Sequence, residues 1–241
     1  MRVSIIIPVY NEFRTLPQVL QRVLDAPLPP GTSREIVVVD DGSTDGTGRL
    51  LSTYAEGSYA KASIIVHHSG RNAGKGAAIR AGLAKITGDI VLIQDGDLEY
   101  DPADYMQLVS PIVEGRAQVV YGSRFRAPVQ GMARRNWLAN KILTFAANVL
   151  YAASITDEAT AYKAFHTDVL KRLRLECRRF EFCPEVTAKI RLLGYSIHEV
   201  PITYNPRGIA EGKKIAARDG FHALWTLLRY RFKRRRHFEI K

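Results

Sequence analysis

The chain has 241 residues, 46% of them hydrophobic and 24% charged, enough apolar material to bury a full core and too much for a disordered chain. Its formal net charge is +11, which points to an anionic partner such as nucleic acid, anionic lipid or a phosphorylated substrate. Its two cysteines, Cys177 and Cys183, form no CxxC and have no histidine at zinc-ligand spacing, so two free thiols are expected in preference to a structural disulfide.

Val3 to Val9 is an apolar run of strand length. It is entered directly from Met1-Arg2 with no small-residue cleavage site after it, so no signal peptide is expected. Thr15 is placed to cap a helix running to about Leu24, with Pro17 in its first turn. Glu35 to Val39 reads as a second strand, followed by Asp40-Asp41-Gly42-Ser43, and Asp45 is placed to cap the next helix. Ala62 to Val66 is a third strand, Ala77 to Lys85 a helix, and Ile90 to Gln94 a fourth strand between Gly88 and Gly96. Asp101-Pro102 is a strong helix start, and Gln118 to Tyr121 is a fifth strand. This alternation implies an α/β fold, with a largely parallel, doubly wound sheet covered by helices on both faces.

The second half is less regular. Trp137 to Ile155 is the most membrane-like stretch, but Asn140, Lys141 and Asn148 interrupt it. Such groups are costly at mid-membrane depth, so a helix at about Leu138 to Ala153 is read as core or interfacial, not spanning. A short strand is expected over Tyr162 to Phe165, a helix near Pro184 to Leu193 and a strand over Ile197 to Val200. From Ala216 to Phe232 the pattern is helical, with Phe221, Leu224, Trp225, Leu228 and Phe232 on one side and arginines on the other. Repeats and linkers are lacking. The expected division is a main domain over 1–215 and a basic amphipathic extension over 216–241, suited to a membrane surface.

Chemistry concentrates where the strands end. Glu12 follows the first strand, Asp40 and Asp41 the second, and Asp95 and Asp97 the fourth. In a parallel sheet these ends share one edge, where open α/β sheets bind ligands. Each acid is explicable as a turn residue. Massed together, they repel unless they accept hydrogen bonds or hold a cation. Hard ions such as Mg²⁺ and Mn²⁺ favour oxygen ligands, so the Asp95-Gly96-Asp97 pair suggests a metal holding a diphosphate. A dinucleotide-type glycine loop is absent after the first strand, and Gly70 to Gly76 is not a Walker loop: its spacing is one short, and no Ser or Thr follows Lys75.

Pro8-Val9-Tyr10-Asn11-Glu12, Val39-Asp40-Asp41-Gly42-Ser43-Thr44-Asp45, Asn72-Ala73-Gly74-Lys75-Gly76, Asp95-Gly96-Asp97 and Gly122-Ser123-Arg124-Phe125 occur in this order. Over about residues 1–215 the chain resembles the family 2 inverting glycosyltransferases of GT-A fold, and among them the polyprenyl-phosphate (dolichol-phosphate mannosyltransferase-like) hexosyltransferases. The resemblance implies a Rossmann-like, mostly parallel twisted sheet flanked by helices, with C-terminal amphipathic helices. It implies that Pro8, Tyr10, Glu12, Asp41 and Lys75 bind the nucleotide, with Asp40 close by. Asp95 and Asp97, with Glu99 as a further ligand, would hold Mg²⁺ or Mn²⁺ and the donor diphosphate. Arg124 would face the acceptor phosphate, with Arg134, Arg135, Arg207, Lys213 and Lys214. Asp157 matches an acid placed near sugar and acceptor, against the plainer reading of a helix cap before Glu158. Thr160-Ala161-Tyr162-Lys163 departs from the nearest pattern, which has a Cys or Gly before the aromatic.

The implied reaction is metal-dependent, inverting transfer of a hexose from GDP-mannose or UDP-glucose to a dolichyl or undecaprenyl phosphate. Asp97, Asp157 and Arg124 would be its catalytic residues. The enzyme is expected at the cytoplasmic face of the membrane, held peripherally on anionic lipid, alone or with a membrane partner protein or as a homo-oligomer. One rival keeps the donor site and moves the sugar to a soluble or saccharide hydroxyl, which would require a base and not arginines. A nucleic-acid-binding module, the other rival, leaves the acidic sheet edge unexplained, so no nucleic-acid partner is expected.

Overall fold

The computed structural model describes residues 1–57, 59, 62–127, 131–206 and 217–233. One seven-stranded sheet organises the chain, in the order β3-β2-β1-β4-β6-β5-β7. The strands are β1 (Arg2–Val9), β2 (Ser33–Asp40), β3 (Ala62–His68), β4 (Ile90–Ile93), β5 (Val119–Ser123), β6 (Lys163–His166) and β7 (His198–Pro201). The helices are α1 (Leu16–Asp25), α2 (Thr47–Ala55), α3 (Lys75–Leu83), α4 (Tyr105–Val113), α5 (Arg134–Tyr151), α6 (Thr167–Arg172), α7 (Phe182–Leu192) and α8 (Ala217–Phe232). Every residue of β4 is buried, as a strand covered on both faces requires.

The sheet is largely parallel, as expected, with one strand reversed. β6 runs antiparallel to both β4 and β5. The chain leaves β5 at the carboxyl edge of the sheet, and α5 and the turn after it deliver residues 156–162 back to that edge. β6 therefore starts there and runs the other way. Residue patterning does not encode this direction.

Two apolar layers sandwich the sheet. Leu16, Val19 and Leu20 of α1 pack on one face with Leu108 and Ile112 of α4. Ile79 of α3, Leu170 of α6 and Val186 and Ile190 of α7 pack on the other. A third cluster joins Ala147 and Tyr151 of α5, Ala188 of α7, and Leu227 and Tyr230 of α8. The residues read as an extension thus include a helix seated on the body. Its buried side is Ala223, Leu227 and Tyr230, while Phe221, Trp225 and Phe232 stay exposed. Cys177 and Cys183 are free.

Local signals behave as side-chain chemistry dictates. Asp101 accepts from the Ala103 N–H at 3.0 Å ahead of Pro102. Asp45 accepts from the Thr47 N–H at 3.0 Å, one residue before the cap position of α2. Thr15 occupies the cap position of α1 but makes no capping bond. Its hydroxyl donates instead to Glu12 Oε2 at 2.8 Å and to the Gly96 carbonyl at 3.2 Å. The short helix α6 has no counterpart in the sequence reading.

Candidate functional site

β1 is paired with β2 on one side and β4 on the other, so the order of connection reverses between β1 and β4. A crevice must open at the carboxyl ends of these strands. A cleft of about 360 Å³ lies there. Pro8, Tyr10 and Glu12 line it after β1, Asp41 after β2, Lys75 from the start of α3, and Asp95, Asp97 and Glu99 after β4. Gly96 lets the two edges meet, because a Cβ there would lie 2.7 Å from Val9 Cγ1.

Asp40 is not among the lining residues. Successive strand residues point to opposite faces, and Asp40 ends β2. Its carboxylate accepts from the Ser43 N–H at 2.9 Å and meets His68 Nδ1 at 3.1 Å. Asp41 reaches the cleft wall and shapes it, accepting from the N–H groups of Ala73 at 2.9 Å and Gly74 at 2.7 Å. Gly74 has φ +98°, and a Cβ there would lie 2.5 Å from the Arg178 carbonyl oxygen. The next N–H groups of α3 are already used: Gly76 donates to the Arg179 carbonyl at 3.0 Å and Ala77 to the Arg178 carbonyl at 2.9 Å.

Lys75 Nζ forms an ion pair with Asp95. Burial works against the ammonium charge, but Asp95 outweighs it and the pKa is raised. Asp97 accepts from the Glu99 N–H at 3.0 Å, and Glu99 Oε2 accepts from the Tyr204 hydroxyl at 3.1 Å. Among the described residues, no three of His, Cys, Asp or Glu are grouped as they would be around a metal ion. The oxygen chemistry still fits Mg²⁺ or Mn²⁺ held by one or two carboxylates and completed by substrate phosphate.

Arg124 and Asp157 do not line the cleft and meet each other. Arg124 is 7% exposed and Asp157 0%. Nε and Nη2 of Arg124 donate to the Asp157 carboxylate at 2.7 and 2.8 Å, and its backbone N–H adds a bond at 3.0 Å. Burial works against the guanidinium charge, yet nearby Tyr100 and Asp157 hold its pKa raised. The Arg124 guanidinium carbon lies 5.0 Å from the ring centroid of Tyr204, the residue whose hydroxyl holds Glu99. The structure thus seats Arg124, the residue expected to face the acceptor phosphate, in a buried fork with Asp157. Asp157 caps no helix and has both oxygens engaged by Arg124. The turn at the end of β5 and the reversed β6 bring the two together.

Next to this pair, Glu158 is fully buried, and neither carboxylate oxygen has a hydrogen-bond partner among the described residues. Burial pushes its carboxyl up to about 7, with Lys163 opposing and Asp157 adding to the rise. An unfolded glutamate titrates near ~4.3. The folded state therefore holds its proton longer, and stability falls as pH rises from the unfolded value to about 7. Glu158→Gln is expected to raise the melting temperature only slightly at about pH 5 and considerably more at about pH 8. Differential scanning fluorimetry at both pH values tests this; the same shift at both would refute it.

Arg134 and Arg135 stand exposed at the start of α5. Arg134 borders a notch of about 420 Å³ with Phe125, Met132, Trp137 and Lys141, and Lys141 Nζ lies 4.1 Å from the Phe125 ring centroid. Arg207, Lys213 and Lys214 lie outside the described residues. The sequence reading also missed Arg179 and Phe180, which line the main cleft. A basic residue beside an aromatic in a turn is too common a signal to have found them.

A model of the glycosyl transferase family 2 matches residues 4–174. An undecaprenyl-phosphate 4-deoxy-4-formamido-L-arabinose transferase of Pseudomonas aeruginosa is 35% identical over 221 residues, covering 90% of this chain and 61% of that protein. The chain therefore spans about three fifths of the length of such relatives. An undecaprenyl-phosphate mannosyltransferase of Micrococcus luteus is 33% identical over 224 residues, covering 88% of this chain and 87% of that protein. The structure of glucosyl-3-phosphoglycerate synthase from Mycobacterium tuberculosis with UDP superposes with a TM-score of 0.69 at 21% identity, covering 95% of this chain and 79% of the other. The same enzyme with Mn²⁺, UDP-glucose and phosphoglyceric acid gives 0.68 at 20%. The likeness to these structures is one of fold.

Proposed function

The chain belongs to the family 2 glycosyltransferases and has their GT-A fold, and from this premise we propose that it moves a sugar from a nucleotide donor to a polyprenyl phosphate, inverting the anomeric carbon. The observation that carries this reading is the cleft at the β1/β4 switch point, where Glu12, Asp41, Lys75, Asp95 and Asp97 meet. The relatives named as undecaprenyl-phosphate transferases support the lipid acceptor. GDP-mannose and UDP-glucose are the proposed donors.

A lipid phosphate carries roughly −1.5 to −2 charges at neutral pH and needs no strong base. It needs cations that offset its approach to an anionic donor. Arg134 and Arg135 at the start of α5 are proposed for this, with Arg207, Lys213 and Lys214. Arg124 and Asp157 hold the edge of β5 in place beneath the acceptor. A divalent ion on Asp95 and Asp97, when bound, would supply Lewis-acid stabilisation of the departing nucleoside diphosphate. Tyr204 fixes the Glu99 carboxylate beside that pair.

The surface suits a membrane interface. Leu138, Ile142, Phe145 and Val149 are exposed along α5, and Phe221, Trp225, Leu228 and Phe232 recur at the same spacing along α8. The two helices share the third apolar cluster, so the stripes are held on one body. Arg134, Arg135, Arg229 and Arg231 flank them, as anionic headgroups require. No helix among the described residues is long and apolar enough to cross a membrane.

Thermal-shift titration with GDP and UDP, with and without Mn²⁺, tests the donor site. Stabilisation that depends on both nucleotide and metal is expected; no response to any nucleoside diphosphate would remove the reading. The membrane face is tested by flotation with vesicles of anionic lipid. Phe145→Ser combined with Trp225→Ser and Phe232→Ser is expected to lose flotation while staying folded, because all three side chains are exposed. Undiminished flotation would refute the interface. Truncating α8 is the poorer test, since it removes Leu227 and Tyr230 from the core.

A further inference from the structure

The donor cleft is lined by five carboxylates, Glu12, Asp41, Asp95, Asp97 and Glu99, and by two basic residues, Lys75 and Arg179. Lys75 is committed to Asp95, and the N–H groups of Gly76 and Ala77 in the first turn of α3 donate to the carbonyls of Arg179 and Arg178. Arg179 differs. It is exposed, and its guanidinium makes no hydrogen bond or ion pair among the described residues.

The backbone beneath it is pinned from several sides. The Arg179 carbonyl accepts from the Gly76 N–H at 3.0 Å, and its N–H donates to Glu181 Oε2 at 3.0 Å. Just upstream, the Glu185 carboxylate accepts from the N–H groups of Glu176 at 2.7 Å and Cys177 at 2.6 Å. The side-chain stem crosses Gly74, where a Cβ would lie 2.9 Å from Arg179 Cγ. Arg179 therefore lines the cleft from a turn whose backbone is already ordered.

We propose that Arg179 is a donor-binding residue whose guanidinium takes the diphosphate of the nucleotide. The proposal rests on the donor site proposed above. Guanidinium offers two parallel N–H bonds to phosphate oxygens, and the pinned turn lowers the ordering cost of making them. An unpaired cation in a cleft otherwise rich in carboxylates is what a diphosphate requires and a neutral nucleoside does not. Arg179 thus separates recognition of the phosphates from recognition of the base.

Isothermal titration with GDP and UDP, and with guanosine and uridine, all in Mg²⁺, tests this on the wild type, Arg179→Met and Arg179→Lys. Arg179→Met is expected to bind the diphosphates roughly 10- to 100-fold more weakly, the loss of a charge-assisted bond, and the nucleosides equally well. Arg179→Lys is expected to fall between. Diphosphate binding unchanged in Arg179→Met would overturn the proposal, as would an equal loss for nucleosides, which would place the side chain on the base or ribose. A wild type that binds no diphosphate would instead bring down the donor site itself, and this inference with it.

Discussion

Asp97→Ala is expected to abolish sugar transfer while the protein keeps its fold. Asp97 stands half-buried at the rim of the cleft, where it accepts the Glu99 N–H. Removing its charge takes one carboxylate from the proposed metal and diphosphate site. Lewis-acid stabilisation of a leaving group contributes several kcal/mol, so transfer should fall by about 10³-fold or more at ~1.4 kcal/mol per decade. Asp97→Asn is the sharper variant, since its amide oxygen can still accept the Glu99 N–H. It should lose the same activity with an unchanged melting temperature in the absence of ligand, and it should lose the Mn²⁺-dependent part of the nucleotide shift. Near wild-type transfer by Asp97→Asn, measured with radiolabelled donor, would remove Asp97 from the site.

Arg124→Met is expected to be a stability variant first. The Arg124–Asp157 fork is buried, and removing the guanidinium leaves a carboxylate in the core without its partner. Such a break costs about 3–5 kcal/mol, or roughly 6–20 °C in melting temperature for a domain of this size. Asp157→Leu alone should cost a similar amount. The pair Arg124→Met with Asp157→Leu should recover much of it, because no charge is then stranded. If the double variant lost the sum of the two single losses, the fork would not be the shared cause. Transfer by a stable double variant separates positioning from direct contact with the acceptor. Retained activity would confine Arg124 to holding the β5 edge.

Much of the donor cleft is legible in the amino-acid order. Apolar runs ended by Glu12, Asp41 and Asp95 are strand ends, and strand ends on one side of an α/β sheet share an edge. Pro8, Tyr10, Lys75, Asp97 and Glu99 follow by proximity along the chain, and all line the same cleft. The partners of these residues are not legible. Lys75 and Asp95 are distant in sequence, and only the packing of α3 against β1 and β2 brings them into contact. Arg179 belongs to a turn with no motif, placed by carbonyls that α3 recruits. Asp40 shares Asp41's sequence signal but points away, because neighbouring strand residues take opposite faces.

The strand-and-helix alternation, the acidic carboxyl edge and the basic, amphipathic character of the last helix are written in the residue order. These depend on residue type and spacing, which are local properties. The reversed β6, the burial of Arg124 against Asp157, and the side of α8 that meets the core follow from long-range packing. Each turns on where the chain is delivered after a long excursion, and no local preference carries that information. The apolar stripe of α8 shows the difference most plainly. Its spacing reports an apolar face, but Leu227 and Tyr230 already fill the cluster shared with α5 and α7, so Phe221, Trp225 and Phe232 are left to face outward.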